Sequence, residues 1–148
     1  MSKSNIKFFN EEINYRIRNK NLIRQWIEES VKKENKITGN INIILCKDEY
    51  LHKMNIDYLN HDTFTDIITF DYSEGEIISG DLFISLDRVR ENAKRFTGKI
   101  ADELHRVIIH GVLHLCGYKD KEREEREEMR RKEDHYLNGR PYGLVHSA

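Results

Sequence analysis

Two histidines four positions apart open the run His110-Gly111-Val112-Leu113-His114-Leu115-Cys116-Gly117-Tyr118-Lys119-Asp120. On an α-helix four positions turn through about 400°, so both imidazoles leave one face, a turn apart. Gly117 can take the left-handed backbone geometry that ends a helix. Asp120 follows where a reversing chain brings a carboxylate back toward the two rings. Two neutral imidazoles and one carboxylate are an ordinary three-ligand set for catalytic zinc, with the fourth position left to water. The spacing predicts one Zn2+ per chain, held by His110 Nε2, His114 Nε2 and Asp120.

The helical zinc signature of metalloproteases places a glutamate, the general base, directly after the first histidine. Here that position is Gly111. The ligand spacing is present without the peptidase's base, which argues against a zinc hydrolase of peptide or amide bonds. A His-x-x-x-His pair also arises in cores where each ring is simply hydrogen-bonded. Against that bland reading, Leu104, Val107, Ile108, Ile109, Val112, Leu113 and Leu115 make the segment apolar nearly all round. It should therefore be a central, buried helix. Two adjacent buried histidines need partners, and a metal satisfies both at once.

His-Gly-x-Leu-His-Leu-x-Gly-Tyr resembles the signature of the YbeY family, bacterial metal-dependent endoribonucleases of ribosomal RNA maturation and ribosome quality control. Further blocks resemble that family in its order. They are Thr65-Asp66-Ile67-Ile68-Thr69-Phe70, Gly80-Asp81-Leu82-Phe83-Ile84-Ser85, Val89-x-x-Asn92-Ala93 and Met129-Arg130-x-x-Glu133. The set extends over roughly residues 40–137. The resemblance implies a single metal-dependent hydrolase domain over residues 1–148, acting on single-stranded ribosomal RNA precursor, with ribosomal components as partners and no DNA expected. Two positions depart from the family pattern. Its usual third ligand is a histidine where this chain has Asp120, an exchange that some members share. An arginine thought to face the RNA groove is replaced by Leu59, which cannot bind a phosphate. The resemblance puts Asp66 and His61 near the site, yet no residue identifies itself as the general base.

The elements that must position these residues follow from pattern. The chain has 148 residues and two cysteines, and its net charge is −1. That length suits one domain. Residues 41–86 carry two Lys/Arg against nine Asp/Glu, so no global basic field advertises nucleic acid. No secretory leader and no run of about 18 apolar residues is visible, so the expectation is a cytoplasmic protein without membrane contact. Cys46 and Cys116 read as small apolar residues and not as a disulfide.

Strands are expected at Ile6–Phe9, Ile41–Leu45, Ile67–Phe70 and in a fourth segment ending at Ser85. Leu22, Ile23, Trp26, Ile27 and Val31 form one helical stripe, with Trp26 as core anchor. Thr38-Gly39-Asn40 should break the chain. Asp48 should cap a helix whose Tyr50, Leu51, Met54 and Tyr58 share a face. A short helix from Asp87 should turn Val89, Ala93 and Phe96 inward and Arg88, Arg90, Lys94 and Arg95 outward. Lys121 to Asn138 should be a charged surface helix, docked at sparse points and laced by Glu122/Arg126, Glu127/Arg131 and Glu128/Lys132 pairs. The fold expected is α+β: a four-stranded mixed sheet covered by helices, with the metal-binding helix central.

Three functions compete. The first is a zinc-dependent endoribonuclease. The second is a non-catalytic, metal-stabilised ribosome-assembly factor, which Leu59 favours. The third is a zinc hydrolase of another substrate class.

Overall fold

Alternation at period two builds the sheet, because successive strand side chains face opposite ways. In β2 (Ile37–Cys46), Ile41, Ile43 and Leu45 enter the main core, while Cys46 belongs to a smaller cluster on the opposite face. The same division runs through β4 (Ile77–Ser85), where Ile78, Leu82 and Ile84 face the main core and Phe83 the smaller cluster. The computed structural model describes residues 5–146. With β1 (Asn5–Asn10) and β3 (Ile67–Asp71), these strands form one sheet in the order β1-β2-β4-β3. β1 pairs with β2 and β2 with β4 in parallel; β3 runs antiparallel along the β4 edge. The mixed sheet and the six α-helices among the described residues make one α+β domain.

Helices cover both faces. On the main-core side lie α1 (Lys20–Lys33) and α4 (Ile100–Leu115); α2 (Asp48–Leu59) covers the other with Leu51. After β4 come α3 (Leu86–Asn92) and a π-helical turn, Ala93–Thr97. The chain then runs through α4, α5 (Arg123–Asn138) and α6 (Tyr142–Val145). α4 is a buried helix: Leu104, Val107, Ile108, Ile109, Val112, Leu113 and Leu115 are all buried. It lies tightly on the sheet at Gly111, where an added Cβ would stand 2.8 Å from Ile67 Cδ1 and 2.9 Å from Leu82 Cδ2. The position that holds the base in metalloproteases therefore points into the sheet here. Trp26 is buried, and its Nε1 donates to the Tyr136 carbonyl at 2.8 Å.

Several expectations are corrected. Thr38 to Asn40 do not interrupt the chain; they lie inside β2 at a register shift, where Asn40 N donates to Ser79 Oγ at 3.1 Å. Asp48 does not cap α2 with its own carboxylate. Its backbone N–H is capped by Asp87 Oδ2 at 2.8 Å, while its carboxylate takes Ser85 Oγ and Arg88 Nε, each at 3.2 Å. Arg88 is thereby drawn in from the outward face. Phe96 does not turn inward but is 71% exposed. The π-helical turn adds a residue per turn, so the phase set by buried Val89 and Ala93 does not carry to it. Glu122 caps α5 in a capping box with Glu125, Glu127 pairs with Arg123, and Glu128 with Arg131. Lys132 crosses to Glu34. α5 is also docked by more than sparse contacts, because Met129, Glu133 and Tyr136 form a buried stripe along it.

Candidate metal centre

α4 ends in a Schellman motif. Gly117 has φ +109°, its N–H bonds the His114 carbonyl, and the Tyr118 N–H bonds the Leu113 carbonyl, both at 3.0 Å. The reversal that follows carries Asp120 back over the last turn of the helix. His110 Nε2 and His114 Nε2 lie 3.0 Å apart, and Asp120 Oδ2 lies 3.2 Å from each. The rings meet edge to face, 4.6 Å between centroids at 82°. Among the described residues this is the group of three or more His, Cys, Asp or Glu whose donor atoms all fall within 4.8 Å.

The far side of each ring decides what those atoms can do. His114 Nδ1 lies 2.9 Å from the Tyr118 carbonyl, which can only accept, so the proton sits on Nδ1. His110 Nδ1 lies 2.6 Å from Glu133 Oε2, a carboxylate that also accepts. Both Nε2 atoms of the neutral rings are therefore lone pairs, and with Asp120 three acceptors face one another with no donor among them. Ligands of a tetrahedral ion at about 2.0–2.2 Å sit about 3.3–3.6 Å from one another, a few tenths of an ångström wider than the observed separations. The donor set fits a cation, and a carboxylate behind a ligating imidazole is the usual way to orient it.

Glu133 was missed by sequence reasoning as part of this site. It is 7% exposed, and its Oε1 takes Arg106 Nη1 at 2.9 Å. The available signal was a carboxylate on the Met129–Glu133–Tyr136 stripe, the apolar side of an otherwise charged helix. Burial pulls the His110 pKa down, but the hydrogen bond and charge of Glu133, with Asp66 and Asp120, raise it above its ordinary value overall. Burial likewise pushes Asp66 up, against the pull of His110 and backbone donors. Tyr118 is held in turn: its hydroxyl donates to Glu34 Oε1 at 2.7 Å, and Glu34 also takes the Tyr136 hydroxyl.

The three side chains open into a cleft of about 800 Å³. β3 forms part of its wall, and Asn55, His61, Asp66 and Lys121 line it. Leu59, 44% exposed at the end of α2, also lines it, so the leucine does stand on the cleft wall. Asn55 holds the following loop by donating to the Thr63 carbonyl at 2.9 Å.

The endoribonuclease YbeY family matches residues 5–140. The chain belongs to that family. An endoribonuclease YbeY of Christiangramia forsetii is 50% identical over 134 residues, 90% of this chain and 93% of that one. The endoribonuclease YbeY of Flavobacterium johnsoniae is 52% identical over 126 residues, 85% of this chain and 91% of its own. The solution structure of a Thermotoga maritima protein superposes with a TM-score of 0.61 at 29% identity, covering 90% of this chain and 87% of that one. The YbeY match spans the sheet, the His110–His114 helix and Glu133 together, so the site described lies within it.

Proposed function

We propose that this chain is a zinc-dependent endoribonuclease that cuts single-stranded RNA, within one hydrolase domain over residues 1–148. Its carrying observation is the convergence of three acceptors, His110 Nε2, His114 Nε2 and Asp120 Oδ2, on one point in an open cleft. Membership of a family whose relatives are named endoribonucleases supplies the substrate class. Ribosomal RNA precursor is the proposed substrate, with ribosomal components as partners in maturation and quality control, in the cytoplasm. Among the described residues no helix is long and apolar enough to cross a membrane.

When bound, zinc supplies Lewis acidity, acidifying water and polarising a phosphate oxygen. The chain's own residues do the rest. Glu133 and the Tyr118 carbonyl keep the protons of both rings on Nδ1, so the ligand lone pairs stay available. Asp120 would bring an anionic ligand to the metal and so leave the water less acidic than three histidines would. Lys121 lines the cleft and supplies a cation for a phosphate there.

The test is metal content by elemental analysis, followed by cleavage of a single-stranded RNA with and without a strong chelator. The expected result is one zinc per chain and cleavage that chelation abolishes and zinc restores, with single-stranded DNA left intact. Stoichiometric zinc with no RNA cleavage would favour the assembly-factor reading, for which Leu59 in place of a phosphate-binding side chain is the specific observation.

A further inference from the structure

A second recess, of about 300 Å³, adjoins the metal cleft and shares His110 and Asp66 with it. Its lining differs in kind from the cleft's. Glu103, from the first turn of α4, is 3% exposed, and its Oε1 has no hydrogen-bond partner. The nearest cation is Arg106 Nε at 3.6 Å, beyond hydrogen-bond reach. A buried acceptor left without a hydrogen bond is costly even beside a cation, and a donor arriving in the recess relieves that cost. Beside it stands Phe96, which the π-helical turn leaves 71% exposed, with the Arg95 guanidinium 5.3 Å from its ring centroid. An exposed ring backed by a cation is a stacking platform for a nucleobase. Asn92 and Arg130 also line the recess and add an amide and a guanidinium.

We propose that this recess takes the base of a nucleotide next to the scissile phosphate, and that it selects guanine. This rests on the endoribonuclease reading for the direction in which the RNA lies. Guanine presents N–H donors on its Watson–Crick edge and the O6 and N7 acceptors on the other. A carboxylate and an arginine in one pocket match that pair of edges. Adenine would turn its N1 lone pair toward the carboxylate, and uracil would bring carbonyl oxygens on both sides of its single N–H. Burial raises the Glu103 pKa to about 7, so near neutral pH both forms are present and a donor edge selects the carboxylate. Phe96 contributes to every base alike; Glu103 makes the distinction.

The experiment uses the full metal-loaded chain and two readouts. Binding of the 5′-monophosphates of guanosine, adenosine, cytidine and uridine is followed by NMR titration, and cut sites are mapped on a single-stranded RNA of mixed sequence. The guanosine nucleotide should bind about tenfold more tightly than the others, and cuts should cluster beside guanines. Glu103→Gln should level the four affinities. Phe96→Ala, an exposed position that does not threaten the fold, should weaken all four about tenfold. Equal binding of the four nucleotides together with cuts indifferent to base would overturn the proposal, while RNA cleavage as such would stand. Guanosine selectivity that Glu103→Gln removes, in a chain that cuts no RNA, would keep the recess and defeat the nuclease reading.

Discussion

Helix α4 carries three histidines with opposite fates. His105 is buried edge-on to Trp26, with Arg140 Nη1 at 2.8 Å from its Nδ1. His110 and His114 stand about one and a half and two and a half turns further on, with a carboxylate and a carbonyl behind their Nδ1 atoms. An arginine always donates, so His105 Nδ1 must accept and its proton sits on Nε2. Its one lone pair is taken by Arg140, so it has none to offer a metal. Burial, then the charge of Arg140, push its pKa down to about 4. The sign of the group behind the ring, more than burial, separates a core histidine from a ligand.

Substitution can break that comparison directly. His110→Ala should cost more than about 100-fold in metal affinity and in RNA cleavage, beyond what the loss of a supporting partner usually costs. His105→Gln should leave both within about twofold. Equal losses in metal titrations of the two variants would erase the distinction.

The next effect concerns pH. Between pH 6.5 and 4 the unfolded chain protonates His105 and the folded chain does not, so this stability is lost as pH falls through that window. Glu103 acts in reverse. Its carboxyl goes from 4.5 to about 7, so the folded state holds a proton that the unfolded state lacks, and stability is lost as pH rises from 4.5 to 7. Each term is worth up to about 3 kcal/mol, and in the overlap they oppose one another. Denaturant unfolding across pH 4–7.5 should show His105→Gln losing stability as pH rises and Glu103→Gln losing it as pH falls. Two variants with the wild-type slope would show that neither group is perturbed.

Glu133→Gln replaces the acceptor behind His110 with an amide that can present either end. Zinc affinity, measured by competition with a chromophoric chelator, should fall about 10–100-fold. An unchanged affinity would mean that the carboxylate does not set the ring. The smallest effect is expected at the cleft wall. Leu59→Arg should tighten RNA binding and steepen its salt dependence by about 0.7 in log–log slope, one phosphate's worth for a single strand. A slope that stays put would place the RNA elsewhere.

What was legible in the sequence was local. His110, His114, Gly117 and Asp120 lie within eleven residues, and helical spacing with a glycine stop was enough to bring them together. The apolar run of α4 and the alternation in β2 and β4 likewise marked a buried helix and the sheet. What was not legible came from distant partners. Glu133 is 23 residues from His110, Lys132 is 98 from Glu34, and the cap of α2 comes from Asp87, 39 residues past Asp48. Phe96 failed for a different reason: a single wide turn changes the phase, and no residue in Ala93–Thr97 announces it.

The bond from Trp26 to the Tyr136 carbonyl spans 110 residues and belongs to the docking of α5 on α1. A chain made from its N-terminus presents the histidine pair before Asp120 exists, and both before the carboxylate of Glu133. The centre is thus completed only once α5 has followed α4, after its three converging side chains already exist. A nascent chain stalled between α4 and α5 should bind a divalent metal poorly and cut no RNA, and one that cuts would show that the Glu133 carboxylate is not needed to complete the centre.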